Sequence, residues 1–396
     1  MTDVKALEAQ YVLQTYRRQP VVFERGEGMR LFDDSGRAYL DFLSGIGVAS
    51  LGHAHPLLAR ALADQASTLL HTSNLFFHPL QGELATRLCS LTQLDRAFFC
   101  NSGTEAVEAC LKFARRYWHT EGAPQRTKFV AFKNSFHGRT MGSLSVTWDE
   151  HYRAPFAPLI PGVSFVEVND VAGLMAMVDD TTAAVIVEPI QGEGGVRPLP
   201  PAMAAAIVEA CRRTGTLLIA DEVQSGSWRT GTFLHSRTAG LAPDLVALGK
   251  ALGAGVPVGA VVLTNKVAGA ISAGDHGTTY GGNLLACRAA LTFLDVVEAG
   301  LASAIPRVSA HLFTRLRAIA ARRGDVIADV RGAGLIAGLD LKMDAGPVIQ
   351  AALERGLLVN RTSTTVVRLL PPYIATERDV DQAMDILEAS IAAVAS

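Results

Sequence analysis

The feature that most constrains the fold of this chain is a series of short apolar runs separated by amphipathic segments. The runs are KFVAF (128–132), AAVIVEP (183–189), TLLIADE (216–222), DLVAL (244–248) and GAVVLT (259–264). Each run is continuous rather than alternating, which is typical of strands that are covered on both faces in a parallel sheet. Together with amphipathic helical patterns such as residues 103–118, these runs predict a large doubly wound α/β domain over residues 55–285.

The two ends of the chain differ from this central part. Residues 1–54 contain turn-rich pieces, and residues 286–396 mix helical patterns with the strand-like runs GLIAGLDL and VVRLLPPY. A chain of 396 residues is long enough for one large domain and a smaller one. We therefore expect the two ends to form a smaller α+β domain together.

Composition favours an enzyme that acts on small molecules. Hydrophobic residues make up 49% of the chain, and the formal net charge of -2 leaves no basic field for nucleic acid. No stretch approaches about 18 consecutive apolar residues and the N-terminus lacks a signal-peptide pattern, so we expect no membrane association and a cytoplasmic location. The five cysteines form no CxxC pair, which predicts reduced thiols.

Three motifs resemble nucleotide or metal sites but lack the context that such sites need. GAGLIA (332–337) fits a permissive dinucleotide fingerprint, yet it precedes a strand-like run and no helical pattern opens there. Gly249-Lys250 resembles the end of a phosphate-binding loop, but the Ser or Thr that must follow is missing. His53 and His55 have no cysteine or carboxylate pattern around them, so we expect no metal site.

A better-supported anion site lies in the stretch CNSGTEAVEA (100–109). Ser102, Gly103 and Thr104 stand where a helix is predicted to begin. The hydroxyls can cap the helix, the glycine permits close backbone approach, and unpaired N–H groups face outward toward an anion. Taken alone, the stretch favours a plain N-cap with Glu105 in the first turn.

Two adjacent carboxylates, Asp221 and Glu222, end the third apolar run. Adjacent side chains of a strand point to opposite sides, so only one of them can enter a cleft at the carboxyl end of the sheet. A buried carboxylate there needs a cationic or hydrogen-bonding partner. The alternative is that Asp221 caps the next turn.

Lys250 follows the next apolar run and enters a glycine-rich loop. A helix start and apolar surroundings both disfavour the ammonium form, which predicts a lowered pKa for this lysine. The neutral amine is the form that attacks an aldehyde to make a Schiff base. A lysine of this kind, an acid for a ring nitrogen and a helix-terminus anion site together match pyridoxal 5'-phosphate.

Through these features and several longer sequence blocks, the chain resembles the class III (fold type I) pyridoxal-phosphate aminotransferases, and among them the acetylornithine aminotransferase group. The resemblance covers nearly the whole chain. The blocks that carry it are, in order, NSGTEAVEACLKFAR, FKNSFHGRTMGSLSVT, VEPIQGEGGV, IADEVQSG, LGKALGAGVPVGA, HGTTYGGN and RGAGLIAGLDL. It implies the fold type I architecture, with a large cofactor-binding domain, and an obligatory homodimer with a shared active site.

The resemblance also implies roles for individual residues. Lys250 binds the cofactor aldehyde, Asp221 pairs with the pyridinium nitrogen, and Gln224 bonds the ring hydroxyl. Val223 and Phe136 sandwich the ring. The residues implied at the phosphate are Ser102, Gly103 and Thr104. Thr279 is implied to reach the cofactor from the other subunit, and Thr278 beside it is implied to bind substrate.

Three further residues are implied to bind substrate. Arg139 matches the clamp for a substrate carboxylate, since a planar guanidinium suits bidentate recognition; the alternative is a surface arginine at a helix start. Glu193 matches a carboxylate that masks Arg368 in one half-reaction and releases it in the other. The alternative for this pair is a structural ion pair between domains. Trp228 and Val256 depart from the family, where glycine and an aromatic residue are common.

The resulting expectation is an aminotransferase that moves the terminal amino group of N2-acetyl-L-ornithine to 2-oxoglutarate, as in arginine biosynthesis. Alternative donors within the class are succinylornithine, acetyl-lysine, ornithine and 4-aminobutyrate. A nicotinamide oxidoreductase and a non-catalytic cofactor-binding regulator are the alternatives of other classes. A difference of one methylene or acyl group changes binding by only about 1–3 kcal/mol, so the sequence does not rank the donors.

Overall fold

The computed structural model describes residues 3–395, so the first two residues and the last one of the predicted small domain lie outside the described residues. The strands are β1 (Phe23–Glu27), β2 (Arg30–Asp33), β3 (Ala38–Asp41), β4 (Arg96–Cys100), β5 (Lys128–Phe132), β6 (Val163–Val166), β7 (Thr182–Val187), β8 (Ile190–Gln191), β9 (Arg197–Pro198), β10 (Leu217–Asp221), β11 (Leu245–Leu248), β12 (Gly259–Leu263), β13 (Ile327–Ala333), β14 (Ile336–Leu341), β15 (Leu357–Leu358), β16 (Asn360–Thr362) and β17 (Val366–Leu369).

The helices fall between and after these strands. They are α1 (Val4–Tyr11), α2 (Ser44–Gly47), α3 (Pro56–Thr68), α4 (Pro79–Thr92), α5 (Gly103–Thr120), α6 (Met141–Ser145), α7 (Glu150–Arg153), α8 (Val171–Met177), α9 (Pro201–Thr214), α10 (His235–Thr238), α11 (Asn265–Ala268), α12 (Leu284–Val296), α13 (Ala302–Arg322), α14 (Gly346–Glu354) and α15 (Glu377–Ala395). Single 3-10 turns span Ala154–Phe156 and Lys250–Gly253, and a π-helical turn spans Val297–Leu301.

A seven-stranded sheet in the order β4-β12-β11-β10-β7-β5-β6 forms the centre of the protein. All five predicted apolar runs are strands of this sheet. The pairs β11–β10, β10–β7, β7–β5 and β5–β6 are parallel, whereas β12 is antiparallel to both of its neighbours. The prediction of a mainly parallel doubly wound sheet is confirmed, and GAVVL is its one reversed strand.

Helix α5 shows why the central strands carry continuous apolar runs. Its side chains Val107, Cys110, Leu111 and Ala114, spaced three and four residues apart, are buried in a core cluster with strand residues such as Ile219. A second core cluster, which includes Val130 and Leu218, covers the opposite face of the sheet. Since water reaches neither face, alternation of polar and apolar side chains would leave buried polar groups, which is costly.

The two ends of the chain meet in two smaller sheets. The sheet β1-β2-β3-β15 joins the N-terminal strands to Leu357 and Leu358, and β15 runs parallel to β3. The other sheet has the order β13-β14-β17-β16. This pairing of both ends agrees with an α+β unit built from them, while the boundaries at residues 54 and 286 stay a prediction.

The rejected dinucleotide motif lies in a hairpin of the second small sheet. Ala333 ends β13 and Ile336 begins β14, so GAGLIA forms a turn between antiparallel strands and opens no helix. The N–H of Leu335 in this turn donates to the carbonyl of Arg229 at 2.7 Å, which attaches the hairpin to the central part of the chain. Among residues 3–395, every helix is too short or too polar to cross a membrane.

Candidate active site

A cavity of about 240 Å³ lies where the carboxyl ends of five mutually parallel strands meet. Cavity residues lie at the last position of each of these strands, β4, β5, β7, β10 and β11, or within the next few positions of the chain. The open edge formed by strand carboxyl ends is where α/β sheets bind ligands. The cavity is lined by Gly103, Thr104, Phe136, His137, Gly138, Arg139, Glu188, Glu193, Asp221, Val223, Gln224 and Lys250.

Asp221, the last residue of β10, is buried beside the cavity. Its Oδ2 lies 2.7 Å from Nδ1 of His137, and its Oδ1 accepts from the N–H of Val223 at 3.1 Å. The next residue, Glu222, points to the other side of the strand, where Ser225 and Ser236 donate to its carboxylate. Only one of the two adjacent acids therefore enters the cavity, as strand geometry predicts.

Lys250 begins the turn that follows β11 and has a positive φ of 40°. The expectation of a helix start at this lysine is wrong, because Lys250–Gly253 is a single 3-10 turn with little dipole. Burial lowers the pKa of its amine, and this effect outweighs the nearby carboxylate of Glu193, which raises the pKa. The lowered pKa thus comes from loss of solvent rather than from a helix terminus.

The junction of β4 and α5 forms one wall of the cavity. The Ser102 hydroxyl caps α5 by accepting from the N–H of Glu105 at 3.3 Å, while Gly103 and Thr104 line the cavity. The Thr104 hydroxyl lies 2.6 Å from the Ser143 hydroxyl and accepts from the N–H of Arg139 at 3.1 Å. The first turn of an 18-residue helix therefore faces the cavity with hydroxyls and backbone donors.

The backbone of Gly103 packs closely against the Val223 side chain, and the backbone of Phe136 is bonded to Glu188. A Cβ atom at Gly103 would lie 2.5 Å from Cγ1 of Val223, so only glycine fits against this side chain. The N–H of Phe136 donates to Oε1 of Glu188 at 2.8 Å, which fixes the segment that carries the ring. Both apolar side chains line the cavity and leave a space between the ends of their strands.

Glu193 and Arg368 form an ion pair at the edge of the cavity, with Oε1 and Nη1 2.6 Å apart. Arg368 is fully buried on β17; its Nη1 also donates to Oε1 of Gln224 at 3.1 Å, and its Nε donates to Oδ1 of Asn360 at 3.2 Å. Burial alone raises the pKa of Glu193, but the charges of Arg368 and Lys250 and two hydrogen bonds lower it overall. The carboxylate is therefore held in its ionised form beside the buried guanidinium.

Arg139 lines the cavity at the side that is open to solvent. Its guanidinium carbon lies 3.7 Å from the centre of the Tyr152 ring and 5.6 Å from that of Phe136. Cation–π contact holds a planar guanidinium in place while its N–H donors stay available. The side chain is exposed, and it can bind an anionic group that enters the cavity from outside.

The predicted residues Thr278 and Thr279 lie outside the cavity of their own chain. The Thr278 hydroxyl accepts from Nδ2 of Asn101 at 3.2 Å and from the N–H of Gly281 at 3.2 Å, and Thr279 is exposed. All other predicted cofactor and substrate residues line the cavity or adjoin it, with Ser102 next to Gly103 and Arg368 bonded to Glu193. The prediction that the two threonines reach a partner's cavity stays a prediction.

Sequence reasoning missed three cavity residues, Gly138 and the two ionisable residues His137 and Glu188. His137 is buried against Asp221, and among the described residues its Nε2 has no hydrogen-bond partner. Glu188 is buried after β7, where its carboxylate accepts from the N–H groups of Phe136 and Gly192; burial raises its pKa to about 7. Both residues stand in quoted blocks, FHGR and VEPIQGEGG, and an ionisable residue directly after an apolar run was the available signal for Glu188.

The two departures from the family lie outside the cavity lining. Trp228 is buried, and its ring packs edge-on against Phe233 with centroids 4.8 Å apart. Its φ of 65° is in the left-handed region that favours glycine, so the packed indole holds a strained backbone at this position. Val256 is partly buried against the main core cluster. Neither side chain shapes the cavity directly.

Comparison with known proteins agrees with this geometry. The model of the family described as aminotransferase class-III matches residues 11–391. The acetylornithine aminotransferase of Archaeoglobus fulgidus is 46% identical over 381 residues, which cover 96% of this chain and 98% of that protein. The acetylornithine aminotransferase of Aquifex aeolicus is 44% identical over 378 residues, covering 95% of this chain and 98% of that protein.

Solved structures give the same answer. The ornithine aminotransferase of Toxoplasma gondii superposes with a TM-score of 0.94 at 35% identity, covering 98% of this chain and 94% of that one. The acetylornithine aminotransferase of Elizabethkingia anophelis superposes with a TM-score of 0.87 at 32% identity, covering 98% of each chain. The chain belongs to the class III aminotransferases, enzymes that depend on pyridoxal 5'-phosphate.

Proposed function

We propose that the protein transfers the terminal amino group of N2-acetyl-L-ornithine to 2-oxoglutarate, giving N-acetyl-L-glutamate 5-semialdehyde and L-glutamate, in the cytoplasm. The observation that carries the proposal is the Glu193–Arg368 ion pair at 2.6 Å beside Lys250. Glu193 can neutralise the buried Arg368 guanidinium or move away from it. Such a cavity suits two substrates whose carboxylates lie at different distances from the reacting carbon. The names of the relatives support the choice of donor.

The residues of the cavity fit pyridoxal 5'-phosphate. Gly103 packs closely against Val223 at the cavity wall, Asp221 offers a buried carboxylate, and the first turn of α5 offers donors for an anion. The chemistry supplied when the group is bound is an aldehyde that accepts amines and a protonated ring that accepts electrons from the substrate carbon. We assign Val223 and Phe136 to the two ring faces and Gln224 to the ring hydroxyl.

Lys250 holds and moves the proton in this proposal. Its lowered pKa favours the free-base form of Nζ in the cavity. Nζ would take the proton from the substrate carbon that bears the amino group and return it to the former aldehyde carbon of the cofactor. Asp221 keeps the ring nitrogen protonated, because a buried carboxylate stabilises a positive charge at short distance. His137 keeps Asp221 in place at 2.7 Å.

Two arginines distinguish the substrates. Arg139 binds the α-carboxylate of the amino donor, which lies far from the reacting terminal amine. During this half-reaction Glu193 pairs with Arg368 and neutralises it. When 2-oxoglutarate binds, its carboxylate beside the reacting carbon takes the place of Glu193 on Arg368, since a buried guanidinium needs an anionic partner.

We further propose that the active enzyme is a homodimer in which Thr279 enters the partner's cavity at the cofactor and Thr278 at the substrate. Support comes from the surface beside them. Leu75, Phe76 and Phe77 are 87%, 69% and 105% exposed, an unusual apolar patch for a lone chain. Asn74 joins this segment to the threonine loop through its bonds to the carbonyls of Thr278 and Gly281 at 3.2 and 3.0 Å.

The visible spectrum of the purified holoenzyme tests the proposal. Addition of N2-acetyl-L-ornithine alone is expected to bleach the cofactor band, and 2-oxoglutarate is expected to restore it. Ornithine is the second candidate donor, favoured by the TM-score of 0.94 to an ornithine aminotransferase. A faster reaction with ornithine or 4-aminobutyrate than with N2-acetyl-L-ornithine would contradict the assigned donor but leave the aminotransferase assignment intact.

A further inference from the structure

Residues 192–195, the gate loop, carry Glu193 between β8 and β9. In the proposed function Glu193 covers Arg368 in one half-reaction and leaves it in the other. What holds the loop itself determines how easily this happens. The contacts of the gate loop come from two directions, the central sheet and the small sheet that contains β16 and β17.

On the side of the central sheet, the gate loop is fixed by a hydrogen bond and by close packing. The N–H of Gly192 donates to Oε2 of Glu188 at 3.1 Å. A Cβ atom at Gly192 would lie 2.0 Å from Oε1 of Gln224, and one at Gly194 would lie 2.4 Å from the carbonyl oxygen of Asn134. The loop backbone therefore has no room to move toward the cavity.

On the other side, two residues of the small sheet bind the carbonyl groups of the gate loop. The Thr362 hydroxyl, on β16, lies 2.5 Å from the carbonyl oxygen of Glu193 and 3.2 Å from that of Gly192. Nε of Arg331, on β13, donates to the carbonyl of Gly195 at 2.8 Å. Thr362 is only 3% exposed, so water does not replace its hydroxyl readily.

These contacts fix the backbone on both sides of Glu193. Opening of the ion pair then requires rotation of the Glu193 side chain, while its main chain stays in place. Thr362 is the contact that reaches Glu193 itself, and it lies on the strand that neighbours Arg368. Thr362 thus holds the backbone of Glu193 at a position from which its side chain reaches Arg368 on the adjacent strand.

We propose that Thr362 is a specificity-determining positioning residue that holds Glu193 over Arg368 and thereby favours the terminal-amine donor; this rests on the proposed function of the pair. Loss of the hydroxyl leaves the carbonyl of Glu193 without its donor at 2.5 Å, whereas the carbonyl of Gly192 keeps the N–H of Val196 at 3.4 Å. Polar groups that lose a buried partner regain one by moving toward water. Such a shift withdraws Glu193 from Arg368. The uncovered cation then repels the terminal ammonium group of the amino donor but still binds the carboxylate of 2-oxoglutarate.

The test measures the two half-reactions separately in the holoenzyme, by single-turnover changes of the cofactor band. Thr362→Val removes the hydroxyl at nearly constant volume, and Thr362→Ser retains it. The matched control is Thr92→Val, because Thr92 is also fully buried and donates to a backbone carbonyl, that of Leu88, at 2.7 Å on α4. Far-ultraviolet circular dichroism and cofactor content establish that each variant is folded.

Thr362→Val is expected to lower the second-order rate constant with N2-acetyl-L-ornithine by about fivefold, the size of one net hydrogen bond. The rate constant with 2-oxoglutarate is expected to stay within about twofold, as are both rate constants of Thr362→Ser and Thr92→Val. If Thr362→Val lowers both half-reactions by the same factor, changes neither, or fails to fold while Thr362→Ser does not preserve the donor rate, the inference is overturned.

The wild-type protein separates this inference from the proposed function. Absence of a half-reaction with N2-acetyl-L-ornithine or any other terminal amine in the wild type contradicts the proposed function and, with it, the role of Thr362. A normal wild-type donor reaction with equal effects of Thr362→Val on both half-reactions contradicts the role of Thr362 alone.

Discussion

Nδ1 of His137 lies 2.7 Å from Oδ2 of Asp221, and both side chains are buried. Because an ionised carboxylate only accepts hydrogen bonds, Nδ1 carries the proton in this pair. The second carboxylate oxygen is bonded by the N–H of Val223 at 3.1 Å. The acid that ends β10 is thus held by one side chain and one backbone group, both from residues that line the cavity.

Replacement of His137 by alanine is expected to raise the dissociation constant for pyridoxal 5'-phosphate by about 10- to 100-fold. A hydrogen bond to a charged group contributes about 1.5–3 kcal/mol, and its loss leaves the buried Asp221 carboxylate less well oriented. Spectral titration of the apoprotein with the cofactor measures the effect. His55→Ala is the control, since His55 is only partly buried and lies at the start of α3. Unchanged affinity in His137→Ala would mean that Val223 alone holds the acid.

The lowered pKa of Lys250 predicts the pH dependence of cofactor capture. Only the free base attacks the aldehyde, so the rate rises with pH until the amine is deprotonated. Because burial moves the pKa down from 10.5, the inflection is expected below that value. Stopped-flow absorbance after mixing apoprotein with pyridoxal 5'-phosphate gives the profile. Lys250→Ala is expected to bind the cofactor without this phase and to show no turnover; an inflection at or above 10.5 contradicts the prediction.

The raised pKa of Glu188 predicts that the free energy of unfolding depends on pH. Its pKa is raised from 4.5 to about 7, chiefly by burial, so between these values the unfolded chain loses the proton that the native state keeps. The contribution of Glu188 to the free energy of unfolding therefore falls as pH rises through this window, by up to roughly 3 kcal/mol, and is constant above it.

Glu188→Gln is expected to lack this slope, because the amide does not titrate. Urea unfolding of wild type and variant at about pH 5 and about pH 7.5 measures the difference. The lost hydrogen bond to Phe136 or Gly192 shifts the variant equally at both pH values. A difference between the two proteins that does not change with pH would show that Glu188 titrates normally.

The parts of the fold that were predictable from sequence are those set by local pattern. Continuous apolar runs identified five strands of the central sheet. Asp221, the last residue of β10, and Lys250, two positions after β11, both reach the cavity. This works because the carboxyl ends of parallel strands meet at one edge. The helix expected at Lys250 is replaced by one 3-10 turn, which is followed by Ala254 in the left-handed conformation.

Other site residues depend on contacts that the sequence does not encode locally. Thr362 lies 169 positions from Glu193, and Arg368 lies 175 positions from it. No periodicity links residues across such distances; only the packing of the small sheet on the central one brings them together. The strained backbone of Trp228 is equally invisible in sequence, because tertiary packing of the indole overrides the preference for glycine.

Arg139→Lys is expected to raise the KM for N2-acetyl-L-ornithine about tenfold or more while changing kcat less. Lysine lacks the planar fork that binds a carboxylate with two bonds and stacks on an aromatic ring. Tyr152→Phe is the matched control, since it keeps the ring that lies 3.7 Å from the guanidinium. Steady-state kinetics at saturating 2-oxoglutarate measure the change. An equal loss in both variants would assign the effect to the aromatic wall instead of the guanidinium.

The contact between Gly103 and Val223 offers a test of the space assigned to the cofactor ring. A Cβ atom at Gly103 would lie 2.5 Å from Cγ1 of Val223, so Gly103→Ala must displace that side chain into the cavity. Overpacking of this kind costs about 1–3 kcal/mol, and the affinity for pyridoxal 5'-phosphate is expected to fall about tenfold.

The Val223→Ala variant alone loses one face of the ring site and is also expected to bind the cofactor more weakly. In the double variant the added methyl group occupies the space that the Val223 side chain leaves. Its loss of affinity is therefore expected to be smaller than the product of the two single fold-losses. Spectral titration of the four proteins provides this double-mutant cycle, and strict additivity would mean that the two residues do not form one surface of the site.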